Sequence, residues 1–144
     1  MHCRDKYPDH LFVAEEDISE GKNVEVLTEK PTWLIDPLDG TINFVSRVPF
    51  VAVSIGFAIN KKIVVGVVYN PILDEMFTAV LNQGAFLNNK RIHVSDVKVL
   101  KNAVVATACG AELSEEDINT FNKRMSGVIS HARTWRRFGS AAMV

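Results

Sequence analysis

The chain has 144 residues, 47% of them hydrophobic and 23% charged, with a formal net charge of −1. That balance suits one soluble globular domain and argues against a nucleic-acid footprint. No apolar run approaches the ~18 residues of a membrane span, and Met1-His2-Cys3-Arg4-Asp5-Lys6 has no signal-peptide core.

Cys3 and Cys109 are isolated and lack metal-type spacing, which favours a reduced, cytoplasmic setting over a secreted one. Residues 1–45 hold 10 acids against 4 bases, and residues 46–144 hold 7 against 12. An acidic N-terminal third beside a basic remainder suits a cation cluster next to an anion site, and equally suits scatter.

In chain order, Met1 to His10 is polar, and Tyr7-Pro8 disfavours helix there. Leu11-Phe12-Val13 is expected to be a short buried strand running into Ala14-Glu15-Glu16-Asp17. With Glu20 these acids read as a solvated loop or, at the exit of an apolar strand, as part of a site. Trp33 to Ile35 is again strand-like and ends in Asp36-Pro37-Leu38-Asp39-Gly40-Thr41-Ile42-Asn43-Phe44. Pro37 holds Asp36 extended, at a strand end and outside any helix. Gly40 permits a tight turn with positive φ. Asp36, Asp39, the Leu38 carbonyl and the Thr41 hydroxyl then form an all-oxygen set suited to a hard cation such as Mg2+. Pro-x-Asp-Gly alone is also ordinary turn chemistry.

Val51 to Ile59 alternates bulky odd positions with small even ones. This predicts a strand with one face deep in a core and the other closely covered. Asn60-Lys61-Lys62 is a turn, and Ile63 to Tyr69 returns as the second arm of an antiparallel hairpin, ended by Asn70-Pro71. Glu75 to Val80 is a further strand, Asn82-Gln83-Gly84 a turn, and Ala85 to Val94 an irregular strand pair around Asn88-Asn89. His93 reads as a structural or surface histidine. Ala103 to Ala106 is a strand. Ser114-Glu115-Glu116-Asp117 opens a helix with a serine N-cap and acids in its first turn. Ile118, Phe121 and Met125 make its buried stripe, and Gly127 is expected to end it. A last short strand is expected to pass through Gly139 into the first turn of a helix, whose N–H groups suit an anion or sugar hydroxyls.

Trp33-Leu34-Ile35-Asp36-Pro37-Leu38-Asp39-Gly40-Thr41-Ile42-Asn43-Phe44 closely resembles the signature of the inositol monophosphatase family, W-x-I-D-P-[IL]-D-G-T-x-N-F. The haloacid-dehalogenase loop D-x-D-G-T differs, since its nucleophilic aspartate lies two residues before the second. An EF-hand ends in a distant glutamate. Two more elements follow the family's order. Ala14-Glu15-Glu16 resembles its G-E-E element, with Ala14 in place of glycine. Arg136, Gly139, Ser140, Ala141 and Ala142 match its R-x-x-G-[ST]-A-A element, which lines the substrate site.

The resemblance implies an α/β (α+β layered) sandwich of sheets and helices, incomplete in this chain, which forms a partial domain over residues 1–144. It implies Mg2+ held by Glu15, Asp36, the Leu38 carbonyl and Asp39, with Glu16 as a partner behind Glu15. Glu15 and Thr41 then orient and deprotonate water for in-line attack on a small-molecule phosphate monoester, inositol monophosphate. Leu38, Asp39, Gly40, Thr41, Gly139, Ser140 and Ala141 contact the substrate, and the protein is expected to be a homodimer. Family members are about twice as long and carry a W-D-x-A-A-G element that this chain lacks. A fragment, a truncated gene model or a shortened splice form is therefore expected, with little activity alone. Two rivals remain: a nucleotide 3′-phosphatase or sugar bisphosphatase of the same superfamily, and a non-catalytic partner subunit. Asn43-Phe44 and the Gly-Ser-Ala-Ala element favour the inositol branch.

Overall fold

A computed structural model describes residues 3–15, 17, 27–107 and 114–143. Helix α1 (Cys3–Lys6) stops before Tyr7-Pro8, where proline excludes helical geometry from the residue before it. Strand β1 (Leu11–Ala14) pairs in parallel with β2 (Thr32–Asp39). After helix α2 (Thr41–Val45), β3 (Ala52–Ile59), β4 (Lys62–Asn70), β5 (Glu75–Val80), β6 (Gly84–Leu87) and β7 (Lys90–Ile92) continue as an antiparallel meander. The seven strands lie in the sheet in chain order.

Tight turns set that order. Asn60 and Lys61 both have positive φ, as do Asn88 and Asn89, the geometry that matches a two-residue hairpin to strand twist. A second sheet of two parallel strands, β8 (Val104–Ala106) and β9 (Thr134–Arg136), is joined through helix α3 (Glu115–Ile129). Among the described residues no helix is long and apolar enough to cross a membrane.

The register sorts side chains onto two faces. Phe12, Trp33 and Phe57 are aligned across β1 to β3. The Trp33 and Phe57 rings lie 4.6 Å apart, with Tyr7 and His10 stacked beside them at 4.8 Å. Trp33 Nε1 donates to His10 Nδ1 at 2.9 Å. The other face carries Val13, Leu34, Asp36, Ser54, Gly56, Gly66 and Val68.

Four expectations need correction. On the bulky face of β3, Val53, Ile55 and Phe57 are half-buried rather than deep; the strand's most buried residues are Ala52 and Ala58 on the small-residue face, each 1% exposed. Helix α3 runs through Gly127 to Ile129. The Gly127 site is open, so the helix tolerates it at a cost of ~1 kcal/mol. Ser130 then closes the end with its hydroxyl on the Ser126 carbonyl at 2.8 Å. Of the stripe, Met125 is buried, Phe121 is half-buried and Ile118 is exposed. The last strand stops at Arg136, and a turn rather than a helix follows Gly139 within the described residues.

The start of α3 matches its expectation. Ser114 accepts from the Asp117 amide while Asp117 accepts from the Ser114 amide and hydroxyl. Those bonds, the Ser114 hydroxyl first, hold the Asp117 carboxyl below its usual value. A group lowered in the folded state adds stability above the ordinary carboxylate value and loses it as pH falls through the lowered one. Acidification should therefore fray the first turn of α3. Amide exchange at Ile118 and Asn119 should accelerate, corrected for intrinsic rate, and Ser114→Ala should remove most of that pH dependence.

Candidate functional site

Parallel pairing of β1 with β2 brings the exit of β1 beside the middle of β2. Ala14 is in register with Ile35, and the next residue on each segment is an acid, Glu15 beside Asp36. Both line an open hollow of about 450 Å³ together with Val13, Leu34, Ser54 and Val68. The hollow has a simple origin. Gly56 faces Gly66 across β3 and β4, and a methyl group on Gly66 would meet nothing within 4 Å.

The Asp36–Thr41 segment organises itself. Asp36 Oδ1 accepts from the Leu38 amide at 3.0 Å, a local bond that fixes the aspartate side chain over its own turn. The strand continues past Asp36 instead of ending there, with a register shift before Asp39. Such a bulge re-aims the residues that follow it. The exposed Thr41 hydroxyl donates to the Leu38 carbonyl at 3.3 Å, so these two oxygens meet as expected.

Asp39 is held differently. It is only 9% exposed. The Ser140 hydroxyl donates to Oδ2, and the Ala141 and Ala142 amides donate to Oδ1 and Oδ2, each at 3.0 Å. The Met143 amide donates to Ser140 Oγ at 3.2 Å. Charge-assisted bonds of this kind are roughly twice as strong as neutral ones. Gly139 to Ala142 is therefore a cradle for the Asp39 carboxylate. Ser140, itself buried, has its hydroxyl committed there. Arg136 is bonded to its own strand, through Thr134 Oγ1 and the Trp135 carbonyl, both at 2.8 Å.

Two glycines let the segments approach. Gly40 has φ +85°, and a Cβ there would lie 2.9 Å from the Phe50 carbonyl oxygen and 3.3 Å from Ser140 Cβ. Gly139 has φ +73°, with a Cβ position 2.7 Å from Asn43 Oδ1. Asn43 fills the joint: its Nδ2 donates to the Phe50 carbonyl at 2.8 Å and to the Phe138 carbonyl at 2.6 Å. Sequence reasoning gave Asn43 no structural role. Its place in the signature marked it without giving a contact, because its partners lie 7 and 95 residues away.

The expected cation ligands thus fall into two adjoining parts, Glu15 with Asp36, and Asp39 with its cradle. Among the described residues no three His, Cys, Asp or Glu side chains form one cluster; Glu16 and Cys109 lie outside them. The donor chemistry fits Mg2+, since carboxylates and a carbonyl are the hard oxygens it takes. Asp39 also fits. A carboxylate offers about four acceptor positions, and Ser140, Ala141 and Ala142 occupy three of them.

With this geometry in hand, the comparisons with known proteins are consistent. The profile of the inositol monophosphatase family matches residues 1–144, and the chain belongs to that family. It is 47% identical over 142 residues to "Inositol monophosphatase 2" of Solanum lycopersicum, covering 99% of this chain and 54% of that protein. It is 46% identical over 115 residues to human "Inositol monophosphatase 1", covering 80% of this chain and 41% of that one. The crystal structure of the extragenic suppressor protein suhB from Bartonella henselae superposes with a TM-score of 0.83 at 37% identity. That match covers 97% of this chain and 52% of suhB. The fold is thus the α/β layered fold of this family, and the chain spans about half the length of the relatives it matches.

Gly40→Ala should cost roughly 2 kcal/mol or more, because an alanine must adopt a left-handed conformation and displace a backbone carbonyl. Gly66→Ala, at ordinary φ in open space, should change stability by less than about 0.5 kcal/mol or raise it slightly. Urea denaturation of the two variants compares them directly; equal losses would contradict the packing described at Gly40.

Proposed function

We propose that this chain carries the cation- and phosphate-handling half of a Mg2+-dependent phosphomonoesterase whose substrate is inositol monophosphate. The observation that carries this reading is that Glu15, just past the end of β1, and Asp36, on the neighbouring strand β2, line one hollow, while the Thr41 hydroxyl meets the Leu38 carbonyl in the turn that follows. Relatives named inositol monophosphatase support the substrate class. Glu15, Asp36, the Leu38 carbonyl and Asp39 hold the cation. When bound, a divalent ion neutralises phosphate charge and lowers the pKa of a coordinated water. The Glu15 carboxylate accepts the proton of the attacking water. Thr41 already donates its proton to Leu38 and offers that water a lone pair. Gly40, Thr41 and the Gly139–Ala141 segment border the substrate, with Ser140 acting through Asp39.

The test is phosphate release from inositol 1-phosphate by this chain, alone and joined to the C-terminal half of the tomato relative. The joined protein should show Mg2+-dependent release that Asp36→Asn or Asp39→Asn lowers by a factor on the order of 10²–10³. The chain alone should release little. Full activity in Asp36→Asn would refute the ligand assignment. Preference for a nucleotide 3′-phosphate or a sugar bisphosphate would move the protein to a neighbouring branch. A stable complex with a full-length relative, without turnover in the joined form, would favour a non-catalytic partner subunit.

A further inference from the structure

We propose that Asn43 is a positioning residue. Its side-chain amide sets the orientation of the Asp39 carboxylate, and so its affinity for a divalent cation, by fixing the Gly139–Ala142 cradle. The inference rests on the reading of Asp39 as a cation ligand. Its basis is geometric. Asn43 Nδ2 faces two carbonyl oxygens, of Phe50 and Phe138, at 2.8 and 2.6 Å. Only an –NH2 group has two protons to give them both, so aspartate in its place would set an oxygen against two oxygens. The Phe138 carbonyl belongs to the residue before Gly139. Gly139 in turn holds positive φ, and a Cβ there would lie 2.7 Å from Asn43 Oδ1. The next three residues are the ones that donate to Asp39. Asn43 itself is anchored, since its carbonyl accepts from the Val48 amide at 2.8 Å.

The chain of contacts therefore runs from Asn43 to the Phe138–Gly139 peptide and on to three donors on one carboxylate. The Asn43 amide gives the hydrogen bond from α2 to that peptide among the described residues, and its removal leaves the Phe50–Phe138 ring contact across the joint. Asp39 then keeps its charge and loses its fixed direction. Partners behind a metal ligand commonly control affinity by 10- to 100-fold.

The experiment uses the whole 144-residue chain with Mg2+ as the probe. Calorimetric titration compares wild type, Asn43→Ala, Asp39→Asn and Asn88→Ala; deuterium exchange follows the Ala141 and Ala142 amides. Asn88 also bonds two backbone groups, the Met76 amide and the Asp74 carbonyl. Asn88→Ala therefore controls for the loss of an asparagine joint away from Asp39.

Asn43→Ala should weaken Mg2+ binding at least about tenfold per folded molecule and speed exchange at Ala141 and Ala142; Asn88→Ala should do neither. Wild-type affinity or unchanged exchange in folded Asn43→Ala overturns the proposal. If Asp39→Asn binds Mg2+ like wild type, the ligand reading fails instead, and exchange still reports on the joint. Should Asn43→Ala not fold, Mg2+ titration of the wild type followed by NMR decides. The Asn43 side-chain amide and the Ala141 and Ala142 amides should shift along one saturation curve, and an unmoved Asn43 amide overturns the proposal.

Discussion

The structure depends on one buried carboxylate and the three donors around it. Asp39 lies at the end of β2, and Ser140, Ala141 and Ala142 reach it from about a hundred residues away. A carboxylate this buried is costly unless its lone pairs are engaged. The cradle engages them, and in doing so ties the seven-stranded sheet to the segment that follows the two-stranded one. The Phe50 and Phe138 rings, 5.3 Å apart and edge to face, pack across the same junction.

That tie has a steric condition. Two backbones approach more closely than side chains permit, so glycine with positive φ stands on each side, at Gly40 and Gly139. Asn43 occupies the remaining space and donates to a backbone carbonyl on each side. On the other side of the bulge, Asp36 and Glu15 line a hollow left by Gly56 and Gly66. The bulge between Asp36 and Asp39 lets two acids, three residues apart, serve these two environments.

Much of this was legible in the sequence wherever the cause was local. The hairpin turns at Asn60-Lys61 and Asn88-Asn89, the strand between Glu75 and Val80, and the Ser114 cap each follow from a few neighbouring residues. The meeting of Leu38 and Thr41 followed from Pro37 and Gly40 in the same way. What escaped was set by distant partners. Gly127 carries the ordinary mark of a helix end, but the closure available at Ser130 lets α3 continue. Ser140 reads as a group for a ligand, and its hydroxyl turns to Asp39 because a buried carboxylate competes strongly for donors. The alternation in β3 gave the right element and the wrong depth, since periodicity reports which face is apolar, not what is packed against it.

The central claim is that Glu15, just past the end of β1, and Asp36, on the neighbouring strand β2, form the cation-holding edge of the site, with Asp39 supplying its remaining oxygen from within the cradle. The most direct test is an anomalous difference map from crystals of the chain soaked in Mn2+. A peak at coordination distance from Asp36 and the Leu38 carbonyl, beside Glu15 and Asp39, is the predicted result. An ordered Mn2+ bound elsewhere, with Asp36 and Glu15 facing only water, would contradict it.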